Sequence, residues 1–206
     1  MTIVTMIVDN DAFRRVLGHY ATGVVVVAAI VDGEPCGLAV NSFTSVSLDP
    51  PLVAFCAARS SSTWPRLRTS ETFAVSVLSS EQEDVCRLFA RKGADRFTGT
   101  TWTTSPAGHP VLGKAMAWLD ISADRIVPAG DHELVLGRVT ALSATDGDAA
   151  PLLFFRGAFG TASPLHAPAA PHQQALAHDD PGRLDPMRGL DVESPFFAVL
   201  AARINP

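Results

Sequence analysis

Four consecutive hydroxyl residues, Ser60 to Thr63, follow an apolar run, and Arg91, Lys92 and Arg96 cluster within "ARKGADRF". If Ser61, Ser62 and Thr63 open a helix, unpaired backbone N–H groups join the hydroxyls there. Amide donors, hydroxyls and a cation together suit a ligand with a phosphate tail. Taken singly, each is ordinary capping or a solvated charge. A second cluster lies in "AVNSFTSVSLDPPLVAF" (39–55), where an Asn, a Thr and several Ser interrupt what reads as buried strand. Buried hydroxyl and amide groups cost free energy unless something pairs with them. Val40, Asn41 and Ser42 would present alternating apolar and polar edges to a flat heteroaromatic ring. A third candidate is His132 in "AGDHELVLG", an imidazole at a strand entrance that Asp131 could orient.

Other chemistries find little support. His166, His172 and His178 stand six residues apart, whereas helical metal pairs need three or four, so no metal site is expected. The chain has neither a Gly-x-Ser-x-Gly elbow nor a GxGxxG or P-loop signature. Cys36, Cys56 and Cys86 lack CxxC spacing and read as small core residues in a reducing compartment.

These residues need a scaffold. "DNDAFRRVLGHY" predicts a capped helix over 11–19. Two apolar runs around Asp32-Gly33 predict a hairpin, and "PPLVAFCAA" a third strand. A short helix to about Thr69 and a strand at "TFAVSVLS" follow. A helix over "SSEQEDVCRLFA" is announced by a capping box from Ser80 to Glu83. A loop-rich connection leads to two long strands joined at Gly130, and "PLLFFRGAFG" reads as a last strand buried on both faces. Many short strands with few helices indicate a closed or nearly closed barrel.

Net charge is −5 with 47% hydrophobic residues. This argues against nucleic acid bound by bulk electrostatics but allows a small anionic ligand. No apolar run approaches a membrane span and no signal peptide is indicated, so a cytoplasmic protein with no membrane partner is expected. Residues 1–160 read as one domain. An Ala/Pro/His-rich linker over 161–194 and an apolar segment over 195–206 follow, the latter expected to dock on the barrel or a partner subunit.

Several of these segments occur together, in order, in one family. "FRRVLGHYATGVVVV", "NSFTSVSLDPPLVAFC", "SSSTWPRLR", "FARKGADRF", "GDHELVLGRV" and "PLLFFRGAFG" make the chain resemble the flavin reductase family. These are the FMN-binding split-barrel proteins that serve two-component flavin monooxygenases. The resemblance implies a mainly β fold: a six-stranded antiparallel split barrel with Greek-key connections and short flanking helices, paired as a homodimer. It implies an NAD(P)H:flavin oxidoreductase that reduces FMN or FAD with NADH or NADPH. The reduced flavin would pass to a flavin-dependent monooxygenase.

By the same resemblance Ala39, Val40, Asn41 and Ser42 would face the flavin ring, lined from the next strand by Phe55, Cys56 and Ala57. Ser61, Ser62 and Thr63 would hold the phosphate with Arg91 and Lys92. His132 would sit by the nicotinamide, and Arg156 and Phe159 would close the site. Leu38-Ala39 and Ala158-Phe159-Gly160 replace Met-Thr and Arg-Tyr-Gly of many relatives, removing a hydroxyl and a phenol. The rival readings are a non-enzymatic flavin-binding electron carrier on the same barrel, and an oxidase or oxygenase with its own organic substrate.

Overall fold

The computed structural model describes residues 8–163 except Asp146. The expected linker, the apolar C-terminal segment and His166, His172 and His178 lie outside the described residues. In chain order the elements are α1 (Asn10–Leu17), β1 (Thr22–Gly23), β2 (Val25–Val31), β3 (Glu34–Val40), β4 (Thr44–Leu48), β5 (Pro51–Ala58) and α2 (Trp64–Leu67). They continue with β6 (Thr72–Val77), a 3-10 turn (Ser80–Gln82), α3 (Glu83–Ala90), β7 (Trp102–Thr104), β8 (Pro110–Leu112), β9 (Ala117–Ala129), β10 (His132–Ala144), β11 (Leu153–Phe155) and β12 (Ala158–Gly160).

The main sheet is antiparallel and runs β3-β2-β6-β9-β10-β5-β4. It curls until β3 and β5 come within 8 Å of each other without sharing a ladder, which leaves the barrel split. The expected count of six strands falls short by one, because β4 pairs on the far side of β5. Alternate residues fill the interior: Val25, Val27 and Ala29 of β2, Leu38 and Val40 of β3, Phe55 and Ala57 of β5, Val75 of β6 and Val135 of β10. Phe55, Trp64 and Phe73 form its aromatic centre, with Phe55 edge-on to the other two at 5.9 and 6.2 Å.

β2 is buried on its other face too. Val24, Val26 and Ala28 pack under α3 with Cys86, Phe89, Phe97 and Leu152. That double burial explains why "VVVVAAIV" shows no polar alternation. The turn after it is Asp32-Gly33, with φ of 54° and 80°, both in the left-handed region that a two-residue hairpin turn requires.

Four sequence expectations change. The stretch read as one buried strand breaks after Val40; Asn41 and Ser42 are exposed, and β4 is an exposed five-residue strand. Its hydroxyls therefore sit at the surface, where water meets the demand that burial would have created. The capping box lies one residue earlier, between Ser79 and Gln82, because the first turn is 3-10. The loop-rich connection contains the β7–β8 ladder. "PLLFFRGAFG" is a hairpin, β11–β12 paired with β1, and not a strand buried on both faces; Phe155 and Ala158 are exposed.

A buried histidine links this small ladder to the barrel. The Nδ1 atom of His109 accepts the Ile30 N–H at 3.2 Å, so the ring proton lies on Nε2, 2.7 Å from Thr72 Oγ1. Burial pulls the His109 pKa below its usual value, against an opposing pull from Asp120. A depressed histidine contributes stability that is full above the unfolded pKa of about 6.5 and lost as pH falls toward the folded value. Melting temperature should fall between pH 7 and 5.5. His109→Asn, which keeps an acceptor for Ile30, should flatten that fall; an unchanged slope would contradict the assignment. Phe55→Ala should lower unfolding free energy in urea by about 3–5 kcal/mol.

Candidate functional site

A cleft of about 660 Å³ opens between β3, the start of α2 and the 93–98 loop. Cys36, Gly37, Ser62, Thr63, Arg66 and Arg96 are among the residues that line it, with Phe97 and Trp102 on the apolar side. Arg96 organises the wall. Its Nη1 donates to Gly37 O at 3.0 Å and to Thr63 Oγ1, and its Nη2 donates to Arg91 O at 2.5 Å. Its Nε is buried and finds no partner among the described residues. Leaving a buried charged donor unmet costs at least about 1–3 kcal/mol, enough to favour an acceptor arriving from outside the chain.

Burial pulls the Arg96 pKa below its usual value, yet an arginine stays charged at neutral pH. Burial likewise raises the Cys36 thiol, while Arg66 and Arg96 pull it down, which places both guanidinium groups around that wall. Asp95 braces the loop by accepting the Phe97 and Thr98 N–H groups at 3.1 Å each. Hydrogen bonds, first that of the Thr98 side chain, hold its carboxyl below the usual range.

The phosphate donors expected from sequence divide accordingly. α2 opens at Trp64, one turn long, and Ser61 Oγ accepts the N–H groups of Thr63 and Trp64 at 3.2 Å each. Those amides are occupied, so the helix start is not the anion site; Ser62, Thr63 and the arginines remain. Arg91 and Lys92 are exposed and do not line the cleft. Arg91 contributes its carbonyl to Arg96, which is the cation that reaches inward. Its signal was an arginine directly before a core aromatic, Phe97.

The ring-facing candidates also divide, by strand alternation. Phe55 and Ala57 point into the barrel and are at most 1% exposed, so neither side chain can meet a ligand on the outer face. Val40 is interior as well, and Ala39 faces the second core cluster. Cys56 is the outward residue of β5, flanked by Ala54 and Ala58. Ala54 is buried, and Cys56 and Ala58 are partly exposed. Ser42 Oγ accepts Cys56 N–H at 2.8 Å and donates to Cys56 O at 3.1 Å, fastening the start of β4 to β5. Asn41 stands exposed beside it.

His132 lies across the ladder from Ala58. Its Nδ1 is 2.7 Å from Asp131 Oδ1, and the side chain is half-exposed. The hydrogen bond from His132 is the main cause holding the Asp131 carboxyl below the usual range. The next residue, Glu133, was not singled out from sequence. It accepts Trp64 Nε1 at 2.6 Å and Arg68 Nη1 at 3.1 Å, tying α2 and its hydroxyls to the strand that carries His132. Arg156 and Phe159 belong to the terminal hairpin. Phe159 packs on Phe154 with Arg87 over its ring, and Arg156 faces α1.

The arrangement suits a planar ligand with an anionic tail: two arginines and three hydroxyl residues in a cleft, a strip of small side chains, and an oriented imidazole. The model of the flavin reductase like domain matches residues 17–163. The chain is 46% identical over 159 residues to a flavin reductase of Pseudomonas putida, covering 77% of this chain and 93% of that one. It is 40% identical over 169 residues to the reductase subunit HsaB of a flavin-dependent monooxygenase from Rhodococcus jostii, covering 82% and 86%. Among solved structures, the NADH:FAD oxidoreductase SgcE6 of Streptomyces globisporus C-1027, in complex with NAD and FAD fragments, superposes with a TM-score of 0.72. That pair shares 36% identity over 79% of this chain and 100% of the other. The chain belongs to the flavin reductase like domain family.

Arg96→Ala should weaken FMN binding roughly tenfold to a hundredfold, the worth of a charge-assisted hydrogen bond. Riboflavin, which lacks the phosphate, should bind with affinity within about twofold of the wild type. Fluorescence quenching measures both; equal losses for the two ligands would remove Arg96 from the phosphate site.

Proposed function

We propose that the chain is an NAD(P)H-dependent flavin reductase that reduces FMN or FAD and supplies the reduced flavin to a partner monooxygenase. The observation that carries this reading is family membership across the whole described barrel, joined to a cleft whose buried Arg96 Nε lacks an acceptor. The residues present fit a flavin: Arg96, Ser62 and Thr63 would hold its phosphate, with the ring against Cys56, Ala58 and the Asn41-Ser42 corner. When bound, flavin supplies the ring that accepts a hydride from the nicotinamide.

The chain's part is binding and orientation. The Asp131 carboxylate accepts a hydrogen bond from His132 Nδ1–H and so orients the ring, leaving Nε2 to meet the nicotinamide carboxamide. Ser42 holds β4 against β5. Glu133 keeps α2 in register with His132, fixing the distance between tail and ring sites. Such positioning lowers the barrier without a protein nucleophile.

Two further statements belong to this reading. The protein works as a homodimer, supported by Val46, Leu48, Val127, Leu134 and Leu142, which are 36–68% exposed on β4, β9 and β10. It works in the cytoplasm, supported by Cys36, Cys56 and Cys86, all free thiols. Among the described residues no helix is long and apolar enough to cross a membrane.

The test is steady-state NADH and NADPH oxidation with excess free FMN or FAD. Many turnovers per protein are expected, and turnover limited to the bound flavin would instead fit an electron carrier. His132→Ala should raise the nicotinamide KM about tenfold, the loss of about one hydrogen bond, with flavin affinity within about twofold. Parallel loss of flavin binding would contradict its assigned place.

A further inference from the structure

Helix α1 carries its apolar residues on the outside. Phe13, Val16 and Leu17 stand at i, i+3 and i+4, so they share one face of the helix. They are 56%, 55% and 48% exposed, while Ala12 is the helix's buried residue. Tyr20, 72% exposed, extends the stripe on the turn that follows, its N–H donating to Leu17 O at 3.0 Å. An amphipathic helix normally turns such a stripe toward a core, so one facing out calls for a cover.

The helix is anchored at both ends. Asp9 caps its start, Oδ1 accepting the Ala12 N–H at 2.7 Å. At the other end Gly18 O accepts the Arg156 N–H at 2.9 Å, which fastens α1 to the tip of the β11–β12 hairpin. The stripe is therefore held at a fixed place beside that hairpin. The homodimer contact proposed above uses residues of β4, β9 and β10 and leaves α1 out.

The same hairpin is where the chain leaves the barrel. Gly160, the last residue of β12, pairs with Leu153, which pairs with Gly23, three residues from Tyr20. Two strand spacings, about 10 Å, thus separate the chain's exit from the segment that runs back to α1. Further along, the sequence reads "PFFAVLAARINP", with Phe196, Phe197, Val199, Leu200 and Ile204. The 31 residues of 164–194 lie between. With random-coil statistics a connection of that length spans about 30 Å, enough to return to the helix. Charge fits as well. Asp191 and Glu193 stand five and three residues before Phe196, and Arg14 stands three residues from Leu17 on α1. The acid beside Arg14 is Asp11, at 3.8 Å with both side chains largely exposed, a contact too weak to hold the arginine from another partner.

We propose that the apolar segment over 195–206 docks on the outer face of α1 in its own chain, covering Phe13, Val16, Leu17 and Tyr20, with the acids that precede it toward Arg14.

Tyr20 is the single tyrosine of the chain and serves as the reporter. N-acetylimidazole acetylates its hydroxyl, and mass spectrometry of the Tyr20 peptide gives the rate. The experiment compares the full chain with two full-length variants, one carrying Phe196→Asp and Leu200→Asp, the other Leu17→Asp on the half-exposed helix face. Acetylation should be about tenfold slower in the wild type than in either variant. The protection should hold across about a hundredfold dilution, because a tethered segment keeps its effective concentration. Equal rates in wild type and the 196/200 variant overturn the proposal. Protection that disappears on dilution also overturns it and gives the face to a second copy. Protection that survives in the 196/200 variant but is lost when residues 2–7 are deleted overturns it too, and gives the face to the segment before α1.

Discussion

The packing of Phe55 against Trp64 and Phe73 constrains everything else. Side chains along β5 alternate, so committing Phe55 and Ala57 to the interior commits Cys56 and Ala58 to the outside. A one-residue slip in register would turn Phe55 into water and bury Cys56, losing several kcal/mol at the aromatic centre alone. Among the described residues, buried apolar side chains occupy the barrel interior. The proposed ligand seat is therefore on the barrel's outer face, at Cys56 and Ala58.

Two polar ties hold the outer parts at fixed spacing. Glu133 accepts from Trp64 and Arg68 and binds α2 to β10, next to His132. Arg96 binds the 93–98 loop to Gly37 of β3 and to Thr63 at the start of α2. Both ties meet at α2, a single turn whose own hydrogen bonds could not hold it in place. The 93–98 loop and α2 are thus tied to the barrel strands at Gly37 of β3 and Glu133 of β10.

Much of the scaffold was legible in the sequence, because alternation and turn chemistry are local. Asp32-Gly33 and Gly130 marked two hairpin turns, and the long strands β9 and β10 could be read directly. The site was legible in outline but not in detail. Arg91 and Lys92 look equivalent to Arg96 in "ARKGADRF"; only the fold shows that the loop turns Arg96 inward beneath Thr63. Phe55 and Ala57 looked like ring contacts because neighbours in sequence point to opposite faces, and the face is set by tertiary packing. The hydroxyls after Val40 looked buried because β-branched and apolar residues surround them, whereas the chain leaves the barrel there. Glu133 carried no local signal, since its partners are 65 and 69 residues away.

The central claim is that flavin binds outside the barrel, with its phosphate at Arg96 and its ring on the Ser42–Cys56 strip. Titrating FMN into isotopically labelled protein and following backbone amides and core methyl groups by NMR tests it directly. The account predicts shifts at Gly37, Ser42, Cys56, Thr63 and Arg96, with the Val27, Val75 and Ile121 methyls unmoved. Shifts confined to interior methyls, or saturating FMN that moves none of those amides, would contradict it.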